Sequence, residues 1–462
     1  MNPGVSLLCI LVCITAASCD RVYVHPFALA NVNNMHTNSC KEVEKREHQA
    51  KTFLPSPIES HIPSAPEESP GNKSEDGEKL VGVDSLVDPI YILGARFYQL
   101  LREIHEGDNI FLSPVFIYES LLSFYLGASG VTATNLQTFL GYDSPTIDPN
   151  CTYKIDGHKV FAALRSIIHC PLHPGEDDGL LFSKFSSLFT SPGIYLSESF
   201  VHELATPDSS FQIRAVNFTN PTKAAEQISA FVERKSTHKS QNSLGDIDPE
   251  TNLLLATYLQ VKVALKQASL LREPQEFWLD SGTKISVPMM TVTGTFEYKC
   301  DGNPGLAVVK IPVSKCVFLL LLLPTNSSTL ASVEDQYSMR PSKEWLEKLS
   351  PSEINLTLPT VSFKSIYNLQ ELLMKQNMSC LLEKKDGFRM LSDTNVKIGK
   401  VINQQLFELS PGGADQPEES PKQNEPKGRI KITLNRPFLV IVYSRNAEGM
   451  LYIGRVTNPL KK

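Results

Sequence analysis

The chain has no surplus of basic residues: 44 Lys and Arg stand against 50 Asp and Glu, a net charge of −6. Without a basic stripe, nucleic acid is a poor match as a partner. Beyond the N-terminus no segment reaches the ~18 uninterrupted apolar residues of a membrane-spanning helix. The longest, Val317 to Leu323, is closed by Pro324. There is no Cys-x-x-Cys, so a metal site has no support. Gly-x-Ser-x-Gly, His-Glu-x-x-His and a phosphate-cradling glycine loop are all missing. The ten histidines are scattered and read as surface or packing residues. No cofactor is called for, no internal repeat is evident, and the chain does not read as an enzyme.

What it has instead starts at its first residues. Val5 to Ala17 is a mostly apolar run, followed by Ala17-Ser18-Cys19. Small residues at the third and first positions before a cut suit signal peptidase, which places the junction between Cys19 and Asp20. An uncleaved anchor is the alternative, disfavoured because the run is short for a bilayer. Residues 1–19 therefore read as a secretion signal, and the rest as a secreted, extracellular protein with no membrane insertion. Cys9, Cys13 and Cys19 leave with the signal, while Cys40, Cys151, Cys170, Cys300, Cys316 and Cys380 enter a compartment that permits disulfides. Six Asn-x-Ser/Thr sequons, at Asn72, Asn150, Asn217, Asn326, Asn355 and Asn377, indicate a glycoprotein. Asn150 beside Cys151 and Asn355 in an alternating, strand-like run are the two poorest acceptors.

Residues 30–85 contain Pro55, Pro57, Pro63, Pro66 and Pro70 among Glu, Ser and Lys. Such a composition cannot bury enough surface to offset ordering entropy and reads as a flexible tail. The character changes at Asp88-Pro89, where an N-cap and a first-turn proline open a helix with Ile90, Leu93, Phe97, Leu100, Leu101 and Ile104 on one face. Two further helices carry Val160, Phe161, Leu164, Ile167 and Ile168, then Ala225, Ile228, Phe231 and Val232. Strand signals dominate later: Val317 to Leu323 suits a fully covered sheet, and Met450 to Ile453 pairs with Phe438 to Tyr443. Residues 86–462 read as one large α+β domain.

Five short segments in this domain, taken together, resemble the serpin family. They are Asn109-Ile110-Phe111-Leu112-Ser113-Pro114, Leu126-Gly127-Ala128-Ser129-Gly130, Val287-Pro288-Met289-Met290 with Gly294-Thr295-Phe296, Arg436-Pro437-Phe438-Leu439, and Gly454-Arg455-Val456-Thr457-Asn458-Pro459. The resemblance implies a serpin fold of three β-sheets, about nine helices and a reactive-centre loop between Glu408 and Ile430. Inhibitory serpins insert the cleaved loop as a new central strand. Here the hinge reads Glu408-Leu409-Ser410-Pro411-Gly412-Gly413-Ala414-Asp415-Gln416-Pro417, and Pro421 and Pro426 follow. Proline lacks the amide that a central strand needs, and Asp415, Glu418 and Glu419 fit poorly where side chains must be buried. Two serpin roles compete with the reading that follows, a protease inhibitor and a carrier of a small hydrophobic hormone. The hinge prolines oppose the first; nothing in the sequence supports the second.

The octapeptide Asp20-Arg21-Val22-Tyr23-Val24-His25-Pro26-Phe27 stands immediately after the signal junction. Tyr23, His25 and Phe27 share one side of an extended peptide, and Pro26 restrains His25, which lowers the entropy cost of binding. The peptide is similar to the angiotensin hormones, and the resemblance implies the rest of the reading. Renin, an aspartic protease, would cut Leu29–Ala30, with Phe27 and Leu29 filling apolar pockets. A converting dipeptidase would remove Ala28-Leu29, and the His25–Pro26 amide would stop further trimming. The freed peptide would meet a cell-surface angiotensin receptor through Asp20, Arg21, Tyr23, His25, Pro26 and Phe27. One departure is visible: Ala28 stands where the mammalian pattern has His. The segment around Cys151 is similar to one that carries a conformational disulfide, with Cys40 as partner by position, either a structural tether or a redox gate. Cys170, Cys300, Cys316 and Cys380 allow three connectivities.

Overall fold

A run such as Val317 to Leu323, apolar at every position, must be covered on both faces. The structure, a computed structural model, shows how. It describes residues 51–60, 83–142, 156–168, 179–205, 211–235, 244–301, 305–325, 329–339, 346–412, 428–445 and 449–462. In chain order the elements are β1 (Thr52–Phe53), α1 (Val83–Ile104), β2 (Ile110–Leu112), α2 (Pro114–Gly127), α3 (Gly130–Phe139), α4 (Gly157–Ile168), β3 (Leu180–Thr190), β4 (Leu196–Ser197), α5 (Glu198–Leu204), β5 (Phe211–Ala215), α6 (Pro221–Lys235) and β6 (Leu253–Leu265). There follow β7 (Ser269–Leu270), β8 (Gln275–Trp278), β9 (Lys284–Val287), β10 (Met289–Asp301), β11 (Leu306–Pro312), β12 (Val317–Pro324), α7 (Leu330–Met339), β13 (Ser350–Pro359), β14 (Val361–Asn368), α8 (Leu369–Lys375) and α9 (Cys380–Glu383). The last four strands are β15 (Ile398–Pro411), β16 (Ile430–Thr433), β17 (Phe438–Ser444) and β18 (Gly449–Val456).

β12 lies inside a nine-stranded sheet of order β16-β13-β10-β11-β12-β17-β18-β2, with β7 paired to β10. Its alternate side chains enter two different cores. Phe318, Leu320 and Leu322 join the cluster under the helices, whereas Leu319, Leu321 and Leu323 join a second one with Phe111, Phe363 and Phe407. β17 divides its residues in the same way, and it pairs antiparallel with β18 as the sequence implies. The second large sheet has the order β14-β15-β6-β3-β5. Its outer face carries a third core, where Ile228, Phe231 and Val232 of α6 cover Phe185, Phe189, Leu254 and Tyr258. A ribbon of β8 and β9 completes the three expected sheets, and nine helices lie among the described residues. A fourth pairing, β1 with β4, was not expected.

The junction from β2 to α2 works as its sequence implies. Ser113 caps the helix by accepting from Phe116 N at 3.4 Å, Pro114 takes the first turn, and Ser113 Oγ donates to the Leu451 carbonyl at 2.8 Å. The helix expected to open at Asp88 instead begins at Val83, with Pro89 inside it. Burial of Leu86, Val87 and Ile90 outweighs the one hydrogen bond that the proline removes.

Candidate functional site

The chain before the body bears the residues of greatest interest, and most lie outside the described residues. These are the junction Cys19–Asp20, the peptide residues Arg21, Tyr23, His25, Pro26 and Phe27, the bonds at Ala28, Leu29 and Ala30, and the cysteines Cys40 and Cys151. The chain becomes visible at Lys51, and for ten residues the expectation of a flexible tail is corrected. The Lys51 carbonyl accepts from Glu198 N at the start of α5 (2.8 Å), while Thr52 and Phe53 pair antiparallel with Ser197 and Leu196. Ser56 and Ile58 then bracket Ala215 at the end of edge strand β5: Ala215 N donates to Ser56 O (2.8 Å), and Ile58 N donates to Ala215 O (3.0 Å). Ile58 is 3% exposed and belongs to the core beneath α6. Glu59 accepts from Gln227 of α6. Pro55 and Pro57 pre-set the extended backbone that this path requires. Only the apolar Phe53, Leu54 and Ile58, isolated in a polar stretch, signalled this clasp in the sequence.

A second candidate region is the seam between β15 and β6. These strands pair in parallel from Ile398↔Leu253 to Pro411↔Leu265, so the sheet has five strands and its centre is closed. Pro411 therefore lies within a strand, one residue further into the sheet than a loop proline would be. It is tolerated for a geometric reason. The next amide, Gly412 N, donates across the seam to Leu265 O at 2.8 Å. The nitrogen of Pro411 thus faces the other side, where pairing with β14 has already ended at Leu409↔Val361. Residues 413–427, with the remaining hinge prolines, lie outside the described residues.

Of the sequons, Asn72, Asn150 and Asn326 lie outside the described residues. Asn217 is exposed after β5, its Oδ1 accepting from Thr219 N and Oγ1 at 3.0 and 2.7 Å. Asn377 is exposed just past α8 with φ 57°, a left-handed position that asparagine tolerates. Asn355 sits mid-strand in β13, flanked by Thr293 and Lys431, and its Oδ1 accepts from Thr291 Oγ1 at 2.9 Å. Glycopeptide mapping should find sugar on Asn217 and Asn377 and none on Asn355, because a glycan there would have to rise from the middle of a sheet. A fully occupied Asn355 would overturn this assignment.

Cys300 is an exposed free thiol, which rules out all three two-bridge patterns for the four body cysteines, since each requires it. Beside it, burial first and then the hydrogen bond with Cys300 push the Tyr298 phenol up to about 12. Cys316 is buried just before β12. Cys380 is buried at the start of α9, and Cys170 lies outside the described residues.

The polar clusters of the body are engaged with one another. His158 at the start of α4 meets Glu203 of α5 at 2.6 Å, and Arg165 shares that carboxylate. Deeper, Glu334 of α7 accepts from Tyr98 OH at 2.7 Å and faces Arg455 at 3.4 Å and Arg102 at 3.7 Å. Arg455 also donates to the carbonyls of Asp108, at 2.8 Å, and His105. Among the described residues no group of three His, Cys, Asp or Glu could hold a metal, and no helix is long and apolar enough to cross a membrane.

The family model for serpins (serine protease inhibitors) matches residues 91–459. Angiotensinogen of Pan troglodytes is 34% identical, over 99% of this chain and 98% of its own. Angiotensinogen of Homo sapiens is 33% identical over the same shares, and that of Bos taurus is 33% identical over 100% of this chain and 98% of its own. Among solved structures, a thyroxine-binding globulin complex with thyroxine superposes with a TM-score of 0.66. It is 21% identical and covers 80% of this chain and 99% of that one, a likeness of fold alone.

Proposed function

Since the chain belongs to the serpin family, on its angiotensinogen branch, we propose that it is a secreted, glycosylated precursor of angiotensin peptides and not a protease inhibitor. The observation that carries this reading is the octapeptide Asp20 to Phe27. It stands directly after a signal-peptidase junction, on a chain that matches the angiotensinogens nearly end to end. In this reading renin cuts Leu29–Ala30 and a converting dipeptidase cuts Phe27–Ala28. The His25–Pro26 bond resists further trimming. The octapeptide then acts on a cell-surface receptor in the control of vascular tone and salt balance. Pro26 biases His25 toward extended geometry, which would suit both a protease cleft and a receptor by lowering the entropy lost on binding.

The body serves as scaffold. Its five-stranded sheet is closed along β6 and β15, and the hinge reaches that seam through Pro411, with Pro417, Pro421 and Pro426 beyond. Pro417, Pro421 and Pro426 would each remove a ladder hydrogen bond from any strand the loop would form, which supports a non-inhibitory role. A bridge between Cys40 and Cys151 would tie the peptide-bearing segment to the approach of α4 and govern how the bond is presented. Mass spectrometry of peptides freed by renin of the matching species tests the proposal. A decapeptide ending at Leu29 is the expected product. An intact N-terminus after prolonged exposure would sink the precursor role.

A further inference from the structure

One edge of the five-stranded sheet opens onto a hollow. Among the described strands β14 pairs only with β15, and its other side looks toward the end of α1, the start of β2 and the pair Lys461-Lys462. A single printed tie crosses the gap, where Phe111 N donates to Ser365 Oγ at 2.8 Å. Beside it these elements enclose a cavity of about 250 Å³. Its floor is apolar, formed by Leu101, Ile110, Phe363 and Tyr367, all of them buried. Its rim is cationic: Lys364, Lys461 and Lys462 line it, with Asp108 the one side-chain carboxylate among the lining residues. Lys461 is already tied to Asp108, so Lys364 and Lys462 have no acidic side chain as partner among the described residues. A lysine on an edge strand also guards that edge against pairing, but a guard needs no apolar hollow behind it.

We propose that this cavity binds a small carboxylate with an apolar tail, its head group meeting Lys364 and Lys462 and its tail lying over Leu101, Ile110 and Phe363. The site is independent of the precursor reading above. Size, charge and rigidity agree on this class of ligand. A water takes up about 30 Å³ of liquid, so the hollow has room for about eight of them, or for a ligand of about ten heavy atoms. The unpaired ammonium groups of Lys364 and Lys462 favour an anion, and a carboxylate can accept from both. The buried apolar floor favours a tail over a bare inorganic ion, which would draw nothing from it. The walls are fixed by contacts that need no ligand. Asn109 Nδ2 donates to the Lys461 carbonyl at 3.0 Å, and Arg455 donates to the carbonyl of His105 at the cavity's side. Little ordering of the protein is then left to oppose binding.

Isothermal titration of the full-length chain with octanoate tests the site. A Kd of roughly 10–100 µM is expected for a ligand of about ten heavy atoms. Octan-1-ol has the same tail without the charge and should bind about tenfold more weakly or worse. Lys364→Glu should weaken octanoate by about tenfold or more for the same reason. His105→Trp keeps the backbone contacts of that residue and should obstruct the cavity, abolishing the heat of binding. Neither side chain is fully buried, so both variants should unfold in urea together with the parent. Should the tryptophan variant fail to fold, Lys364→Glu and the alcohol still decide. Absence of octanoate binding at millimolar concentration overturns the site. Octan-1-ol binding as tightly as octanoate overturns the part given to the lysines. Binding of octanoate that Lys364→Glu leaves unchanged would lie elsewhere on the chain and overturn the assignment.

Discussion

Leu29→Asp should nearly abolish release of the decapeptide, lowering kcat/KM roughly 10²–10⁴-fold. The estimate follows from burying a carboxylate without a partner in an apolar protease pocket, about 3–5 kcal/mol, with each 1.36 kcal/mol worth a factor of ten. The effect belongs to the peptide and not to the body. The change lies 22 residues before the first described contact at Lys51, so thermal unfolding of the variant should coincide with that of the parent. Timed digests followed by mass spectrometry give the ratio directly. Ala28 provides the internal comparison. It stands where the mammalian pattern has His, and Ala28→His restores that pattern between Phe27 and Leu29 without placing a carboxylate in the cleft. Equal rates for the Leu29 variant and the parent would mean that the cut is made elsewhere.

Arg455→Met should destabilise the body by about 3–5 kcal/mol, because it removes the buried one of the two guanidiniums facing the Glu334 carboxylate and leaves it Arg102, at 3.7 Å, and the Tyr98 hydroxyl. Arg455 and Glu334 are almost out of water, at 5% and 3% exposure. Arg455 also satisfies two carbonyls in the turn after α1, those of His105 and Asp108, and these would lose their donor at the same time. Equilibrium unfolding in urea measures the loss. The variant Arg455→Met/Glu334→Leu separates a stranded charge from lost packing: if the stranded carboxylate dominates, the double variant recovers much of the difference. A double variant as unstable as the single would place the cost in the orphaned carbonyls of His105 and Asp108.

Arg455 also shows how the sequence could be read and where the reading stopped. The closing segment Gly454 to Pro459 was recognisable as a pattern, and so was Asn109 to Pro114 near the start of the body. What neither pattern disclosed is that they bind each other. Asn109 Oδ1 accepts from Thr457 N at 2.8 Å and from Asn458 N at 3.0 Å, and Asn109 Nδ2 donates to Asn458 O at 2.8 Å. A pattern records residue types, whereas this partnership depends on two strands meeting from opposite ends of the chain. The helices carrying Val160 and Ile228 and the strand at Val317 were legible because periodicity is a local property. The start of α1 was not, because packing of Leu86 and Val87 overrode a strong local start signal at Asp88-Pro89. The clasp at 51–60 was hidden for the same reason. Its ten residues have no periodicity of their own and take their path from β4, β5 and α6. As for the candidate site, the residues of the peptide could be named from sequence, but the surface from which the peptide emerges could not.

The pairing of β2 with β18 also sets an order of events during synthesis. Leu112 faces Ile453 across that ladder, 341 residues later in the chain. At about 5–20 residues per second, the ribosome needs roughly 20–70 s to make the intervening chain. For that interval β2 and the end of α1 wait for both their strand partner and the Arg455 guanidinium, with much of the core behind them open. The last dozen residues thus act as a completion signal. A message that terminates just before Gly449 would encode nearly the whole protein, yet would leave β2 without its strand partner.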